Sequence, residues 1–508
     1  MLSPLLSRTA FGSLVVYLAA ALDIQDCCST AQDATAFAII YGTPLAAYAN
    51  ATLPLLLSSQ TNNISSAPAL LDASFQSVVR PNVDTLYSLA AIDISHDDLV
   101  ISIPAIDDGR YWSFAFLDPF GDDVADISII TASPAGDYLI RRAADAGVAP
   151  GLRILDPHDE ECSGKYVGIV NFPTDYGLLN GRILVLRNDT QDLSIIHSYQ
   201  AKLKLVSTPR TAENPNLPQA PFLTPTLLDT SNISVPLLKT LTLTARLGLY
   251  VQPIVAADRY RVGTILGQAG VTPSGYAPVS GVNLTLAAVT AAAISQQALL
   301  SGLSSQANGW VLQNLTTQAK FGDSYSVRAA IAVAGYLQLP SKQALYPIWG
   351  PGTLAGESLG ADQAYLFTFF GAPPVDACKG GFWSLTVYGA GQFLVPNSLG
   401  RYEIGDRTPG LHYPDGGHVY SAASAEQSVN RSTCTTKIAP SDFATRMFQV
   451  LLQPDNLVPP QNWTSNWLPA PSGGGILSFN LRWYAPTAGL SHGKYIYPLV
   501  QKIAAIIA

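Results

Sequence analysis

The stretch RPNVDTLY (80–87) sets a guanidinium, an amide, a carboxylate and a phenol just ahead of an apolar run that reads as a core strand. In extended chain, side chains two apart project to the same side, so Arg80, Asn82 and Asp84 line up at roughly 7 Å intervals along one face. A guanidinium and an amide so placed can clamp an anion or polarise a carbonyl, with Asp84 as general acid or base and Tyr87 as proton donor. The same residues support a structural reading in which Pro81 forces an extended approach, Asn82 and Asp84 bond turn backbone, and Arg80 neutralises Asp84.

A second cluster lies in GFWSLTVYGAGQFLVPNSLGRYEIGDR (381–407). Trp383, Tyr388, Asn397, Arg401, Tyr402, Asp406 and Arg407 combine aromatic faces with amide, carboxylate and guanidinium tips, the composition of a pocket for a polar, partly apolar small molecule or a sugar. The alternative is that Trp383 and Tyr388 are core and that Asp406 and Arg407 cap a turn. Arg401 joins Arg80 as a second anion clamp, and both clusters are expected to face one shared hollow.

Other spellings of chemistry fail on context. GESLG (356–360) has the G-x-S-x-G spacing of a nucleophile elbow, which needs a strand before the serine and a helix after it. A Pro/Gly cluster precedes Ser358, a strand-like aromatic run follows, and GLSHG (489–493) repeats the spelling, so a surface turn entering a strand is expected instead. Among His96, His158, His197, His412, His418 and His492 no pair has helical i, i+4 spacing. His412 and His418 flank YPDGG and are expected to meet across a hairpin, solvated rather than ligating. No C-x-x-C occurs, and the glycine runs lack the Lys-Ser/Thr of a phosphate loop. No metal and no cofactor is expected.

The chain that must position these residues has 508 of them, 48% apolar and 13% charged, with a net charge of -8. That length calls for two or three cores, and dispersed basic residues on an acidic chain exclude nucleic acid. Residues 1–21 read as a signal peptide: Arg8, a short apolar run, then Ala19-Ala20-Ala21. With it removed no stable membrane span is expected, and the protein is read as secreted. Sequons at Asn50, Asn63, Asn188, Asn232, Asn283, Asn314, Asn430 and Asn462, with Cys27, Cys28, Cys162, Cys378 and Cys434, fit an extracellular glycoprotein with disulfides. Cys378 with Cys434, and Cys162 with one of the adjacent pair, are the plausible bridges.

Short alternating runs separated by turn residues mark a β-rich domain over 30–210, opened by one helix. A Pro- and Asn-rich linker (211–226) and a helical segment extend to 340, with Leu286, Val289, Ala293 and Leu300 sharing one apolar helical face. Strands return over 341–508. In ILSFNLRWY (476–484) Leu477, Phe479, Leu481 and Trp483 face one way and Ser478, Asn480 and Arg482 the other. Two β-rich domains flanking helices make the fold class α+β.

RPNVDTLYSLAAIDIS with GRYWSFAFLDPFGD resembles the family called domain of unknown function 1254, whose pattern is R-P-N-x-D-T-x-Y-S followed by a G-R-Y-Y-like strand. YSVRAAIAVAG, ALYPIW, LAGESLGADQAYLFTF, the 381–407 cluster and LSFNLRWYAP are similar to its usual C-terminal partner, domain of unknown function 1214. The resemblance implies a C-terminal antiparallel β-sandwich (jelly-roll-like), association into a homo-oligomer, and motif roles for the residues already named together with Arg328 and Tyr346. It makes Glu357 rather than Ser358 the motif residue, although SLGADQAY after it is longer than the family pattern. No reaction comes with the family. The expected function is a cofactor-free enzyme acting on a small organic or carbohydrate substrate by acid/base chemistry. The catalytic set is Asp84, Arg80, Tyr87 and Arg401; Asn82, Arg328, Trp383, Tyr388, Asn397, Tyr402 and Asp406 bind substrate. The alternatives are a small-molecule or glycan-binding module and an oligomeric structural protein.

Overall fold

The structure, a computed structural model, describes residues 30–76, 78–156, 164–350, 356–420 and 446–508. The export-like segment, His158, Cys27, Cys28, Cys162, Cys434 and the sequon at Asn430 lie outside the described residues.

The N-terminal unit packs two five-stranded sheets face to face. Its strands are β1 (Ser65–Ser66), β2 (Thr85–Asp93), β3 (Asp98–Ile103), β4 (Trp112–Leu117), β5 (Asp123–Ser128), β6 (Gly136–Arg142), β7 (Gly151–Ile154), β8 (Gly168–Phe172), β9 (Tyr176–Leu184) and β10 (Lys204–Thr208). The sheet orders are β1-β2-β9-β4-β5 and β10-β3-β6-β8-β7. Every second residue of the first sheet, Leu86, Ala90, Phe114, Phe116, Ile127, Leu179 and Ile183 among them, meets Leu99, Ile101, Tyr138, Ile140, Val170 and Phe172 of the second. That alternation sends the intervening residues to the opposite face, and there the register sets Tyr87, Arg182, Ser113 and Ser128 in one row and Leu89, Asn180, Ala115 and Asp126 in the next.

That opposite face is buried as well. At its Ala91 and Leu178 end it rests on a helical layer built round α1 (Ala31–Ser59). Against α1 pack α3 (Pro236–Leu247), α4 (Arg259–Gln268), α5 (Leu284–Ser301) and α6 (Tyr325–Gly335), whereas α2 (Thr190–Gln200) stays with the sheets. A helix apolar on every side is one surrounded on every side, which is why α1 lacks a polar face. The apolar stripe expected to bury α5 is a correction. Leu286, Val289 and Leu300 are exposed, and the helix docks through Ala287, Ala291, Ser295 and Leu299, because small side chains let two helices approach closely. The linker at 211–226 is strapped down: Thr211 donates its backbone N–H and its hydroxyl to Asp98 Oδ2 (both 2.7 Å), and the Leu223 N–H reaches Asp93 Oδ2 (2.8 Å).

The C-terminal unit is a β-sandwich. One sheet runs β11 (Ala344–Leu345), β18 (Gly475–Tyr484), β14 (Phe382–Gly389), β15 (Glu403–Gly405), with β12 (Glu357–Leu359) also on β18. The other runs β17 (Trp467–Ala470), β16 (Phe448–Pro454), β13 (Gln363–Phe369), β19 (Leu499–Ala504), antiparallel except for β16 and β17. Trp310, Phe367, Trp383, Phe448, Phe479, Leu481 and Trp483 fill the space between them, as the alternation in 476–484 predicts. Arg482, on the other side of that strand, is not solvated: it is 3% exposed, against the N-terminal unit.

β14 and β15 pair so closely that a Cβ on Gly405 would stand 2.1 Å from the Trp383 carbonyl oxygen. Gly405→Ala is therefore expected to lower stability by about 1–3 kcal/mol, as overpacking does, with chemical denaturation as the check.

Candidate functional site

Where the two units meet, the RPNVD segment lies against β14, β15 and β18. Asn82 donates to Asp84 Oδ2 (3.1 Å) and to the Tyr484 hydroxyl (2.8 Å), and its carbonyl accepts the backbone N–H groups of Asp84 and Thr85. Asp84 is 2% exposed; the Ser384 hydroxyl donates to its Oδ2 (2.7 Å) and Arg407 Nη2 to its Oδ1. Arg407 also donates to Asp406 Oδ1 (2.7 Å) and lies over the Phe382 ring. Removing one partner from such a buried ion pair typically costs about 3–5 kcal/mol. Tyr388 donates to the Pro81 carbonyl (2.8 Å), and Arg482 to the Arg80 carbonyl (2.8 Å) and the Thr386 hydroxyl (3.2 Å). Arg80, at φ +50°, donates Nε to Gln392 (2.6 Å).

Arg80, Asn82, Asp84, Tyr388 and Asp406 thus come together at the seam, with Tyr87 on the adjoining sheet face. Their polar atoms engage one another and main chain, so this cluster acts as a latch. The side chains of the remaining predicted residues are engaged outside the Asp84–Arg407 pair. Trp383 is core and donates Nε1 to Tyr420 (2.6 Å). Asn397 closes its own turn on the Val395 and Arg401 carbonyls, Arg401 ties the carbonyls of Thr464 and Trp467, and Tyr402 packs beside Tyr388 and Leu394. The Arg328 guanidinium stacks 3.9 Å from the Phe120 ring centroid, near Tyr41 and Tyr325, with Nη1 3.9 Å from Asp122 Oδ2. It fastens α6 to the loop after β4.

The latch includes a carboxyl that no sequence pattern singles out, Glu403. Burial, reinforced by nearby Asp84, pushes it up to about 8, and its Oε2 has no hydrogen-bond partner. Burial also lifts Asp406, to about 6, with Arg407 opposing.

The second polar layer is the buried face of the first N-terminal sheet. Asp123 (3% exposed), Asn180 (0%) and Arg182 (5%) project from it beside Asp126. The segment from Gln313 to Tyr346 covers them. Arg182 Nη2 donates to the Leu337 carbonyl (3.1 Å), Gln338 to Gln313 (3.0 Å), and Gln343 joins the Tyr111 hydroxyl (2.9 Å) to Ser128 (2.7 Å). Both oxygens of Asp123, Oδ1 of Asp126, both amide atoms of Asn180, Nε and Nη1 of Arg182 and the Ser113 hydroxyl have no partner. Orphaned groups gathered this closely mark a place meant to receive polar atoms. Burial raises Asp123 well above the usual carboxylate value, helped by the charge of Asp126, while burial lifts Asp126 to about 6 against the opposing pull of Lys320 and Arg182. Tyr87, Tyr111, Tyr346 and Tyr484 lie near the guanidinium of Arg182, with Tyr87 and Tyr346 partly exposed.

Ser358 lies on β12, exposed and paired to β18, with no helix after it. His412 and His418 form a bridge pair, and no group of three or more metal-ligating side chains occurs among the described residues. Glu357 lines a shallow surface depression together with Arg80, Trp349, Ser478 and Asn480, with a cavity volume of only about 10 Å³.

Fold and site define a two-unit α+β protein in which a β-sandwich is latched by a buried Asp–Arg pair onto a β-rich unit with a polar inner sheet face. Residues 61–207 match the family described as protein of unknown function DUF1254, and residues 344–443 match DUF1214, so the chain carries both domains in that order. Among solved structures it is similar to the VPA0106 protein of Vibrio parahaemolyticus, at 16% identity and a TM-score of 0.53, covering 93% of this chain and 100% of that one. It is also similar to an uncharacterised protein of Burkholderia cenocepacia, at 11% identity and a TM-score of 0.39, covering 91% and 87%. The first likeness concerns the fold alone. No curated protein matches the chain.

Glu403 links the latch to pH. Its neutral form is favoured in the folded state, so its contribution to stability is complete below its ordinary 4.5 and is lost as pH rises through about 8. Glu403→Gln removes that dependence. The variant should melt close to wild type at pH 4 and several degrees above it at pH 9, measured by differential scanning calorimetry.

Proposed function

We propose that the protein is a cofactor-free enzyme that moves a proton on a small polar substrate, with Asp123 and Asp126 as the acid/base pair and Arg182 as the group that holds developing negative charge. The observation that carries this reading is the orphaned set itself: a neighbouring pair of carboxyls with raised pKa, a guanidinium with two unbonded nitrogens and an amide with none of its bonds made, all on one buried sheet face. Leaving such groups unpaired costs stability, a cost that use by a substrate explains and packing does not. An acid/base group is most effective with its pKa near working pH, and Asp126, at about 6, is placed for that. Asp84, the base suggested by sequence, is engaged by Arg407, Asn82 and Ser384; it holds the roof over the layer.

The test is untargeted. A metabolite extract is incubated with wild type and with Asp126→Asn and compared by mass spectrometry. At least one compound should be consumed by wild type alone, with a rate that rises as pH passes about 6 and Asp126 ionises. If nothing is consumed, or the variant matches wild type, the catalytic reading fails.

We also infer that the chain passes through a secretory route and is N-glycosylated there, in a compartment where its cysteines would pair. In support, Asn50, Asn63, Asn188, Asn232, Asn283, Asn314 and Asn462 are all exposed, whereas among described asparagines outside sequons only Asn216, Asn308 and Asn456 are, and Asn82, Asn171, Asn180 and Asn466 are buried. A glycan can be carried only by a side chain open to solvent. Protein made in secretory cells should lose mass on treatment with an amidase that strips N-linked glycans; an unchanged mass counts against the route.

A further inference from the structure

Two buried guanidinium groups at the seam stand outside any ion pair among the described residues. Arg182 and Arg482 are 5% and 3% exposed. Arg182 gives one hydrogen bond, to a main-chain carbonyl, and Arg482 donates to a carbonyl and a hydroxyl. Neither belongs to an ion pair among the described residues, although Arg110, Arg142, Arg210 and Arg407, buried to a similar degree, all do. Buried charge is ordinarily paired, because an isolated ion in the interior costs several kcal/mol. The two arginines are also connected. Tyr346 and Tyr484 lie near both guanidinium groups, Arg482 holds the Arg80 carbonyl, and Arg80 lines the surface depression with Trp349, Glu357, Ser478 and Asn480. A ladder of arginine and tyrosine therefore runs from the surface inward to Arg182, beside Asn180 and the Asp123–Asp126 pair.

We propose that the substrate is a small organic carboxylate, drawn in along this ladder and held with its carboxylate on the open N–H groups of Arg182 and its remaining polar atoms toward Asn180 and Asp126. The proposal rests on the acid/base reading of the same layer and names what that layer takes. A carboxylate fits better than a phosphate: one planar guanidinium matches one planar monoanion, and a dianion would meet the carboxyl pair with excess negative charge. A neutral polyol would leave the buried guanidinium uncompensated.

The full-length protein is titrated with short mono- and dicarboxylates, hydroxy acids, inorganic phosphate and neutral polyols, and melting temperature is followed. At least one carboxylate should give a saturable rise. The apparent Kd of that rise should weaken tenfold or more in Arg182→Gln. If Arg182→Gln does not fold, Arg182→Lys serves: it keeps the charge but loses the flat fork, and an unchanged affinity overturns the proposal. Stabilisation by polyols or by phosphate in place of carboxylates overturns the substrate class while leaving the acid/base pair in force. Failure of the metabolite comparison with carboxylate binding intact would instead remove the chemistry and keep the anion site.

Discussion

Burial on both faces is the constraint behind the first sheet of the N-terminal unit. One face meets the second sheet mainly through apolar residues; the other is pressed beneath helices, a covering segment and a β-sandwich, yet it carries Tyr87, Ser113, Asp123, Asp126, Asn180 and Arg182. A polar face held away from water must find partners within the protein or be used. The rest of the molecule can be understood as the means of keeping that face covered. The sandwich is fixed over it by Asp84 and Arg407, the segment from Gln313 to Tyr346 lies across it, and α6 is fastened to the neighbouring loop by Arg328.

Two kinds of polar cluster therefore exist side by side, and their hydrogen bonding separates them. In the latch, Asn82, Asp84 and Arg407 are engaged by one another and their neighbours, and Glu403 Oε2 is the carboxyl oxygen left open there. On the sheet face, whole functional groups stand open. Density of polar residues alone does not distinguish the two cases; satisfaction does. That difference shifts the chemistry from Asp84 to Asp126 and gives Asp84 a positioning role.

Much of the fold was legible in the residues. The alternation in ILSFNLRWY gave the central sandwich strand, and the dense polar groups of RPNVD and of 381–407 marked the segments that meet at the seam. The functional face was harder to see, for physical reasons. Asn180 and Arg182 sit two apart in a nine-residue strand that is buried throughout, a signal visible only once the strand is read from Tyr176 rather than from Gly181. Asp123 and Asp126 are three apart, out of step with strand alternation, and reach one face because the pairing of β4 with β5 shifts register between Phe116 and Leu117. Glu403, one carboxylate among many, has no local pattern at all; only its burial beside Asp84 singles it out. The stripe on α5 was misread because an almost wholly apolar helix offers several stripes, and the one that docks is the one with the smallest side chains.

The position of α1 in the chain carries a consequence for biosynthesis. Its apolar surface is complete once residue 59 has been made, but the helices that enclose it lie between residues 236 and 335. Contacts of such long sequence separation form slowly. A greasy rod of 29 residues thus waits through the synthesis of some two hundred more before its shelter exists, and throughout that interval a chaperone, or the wall of the exit channel, must keep it from other chains.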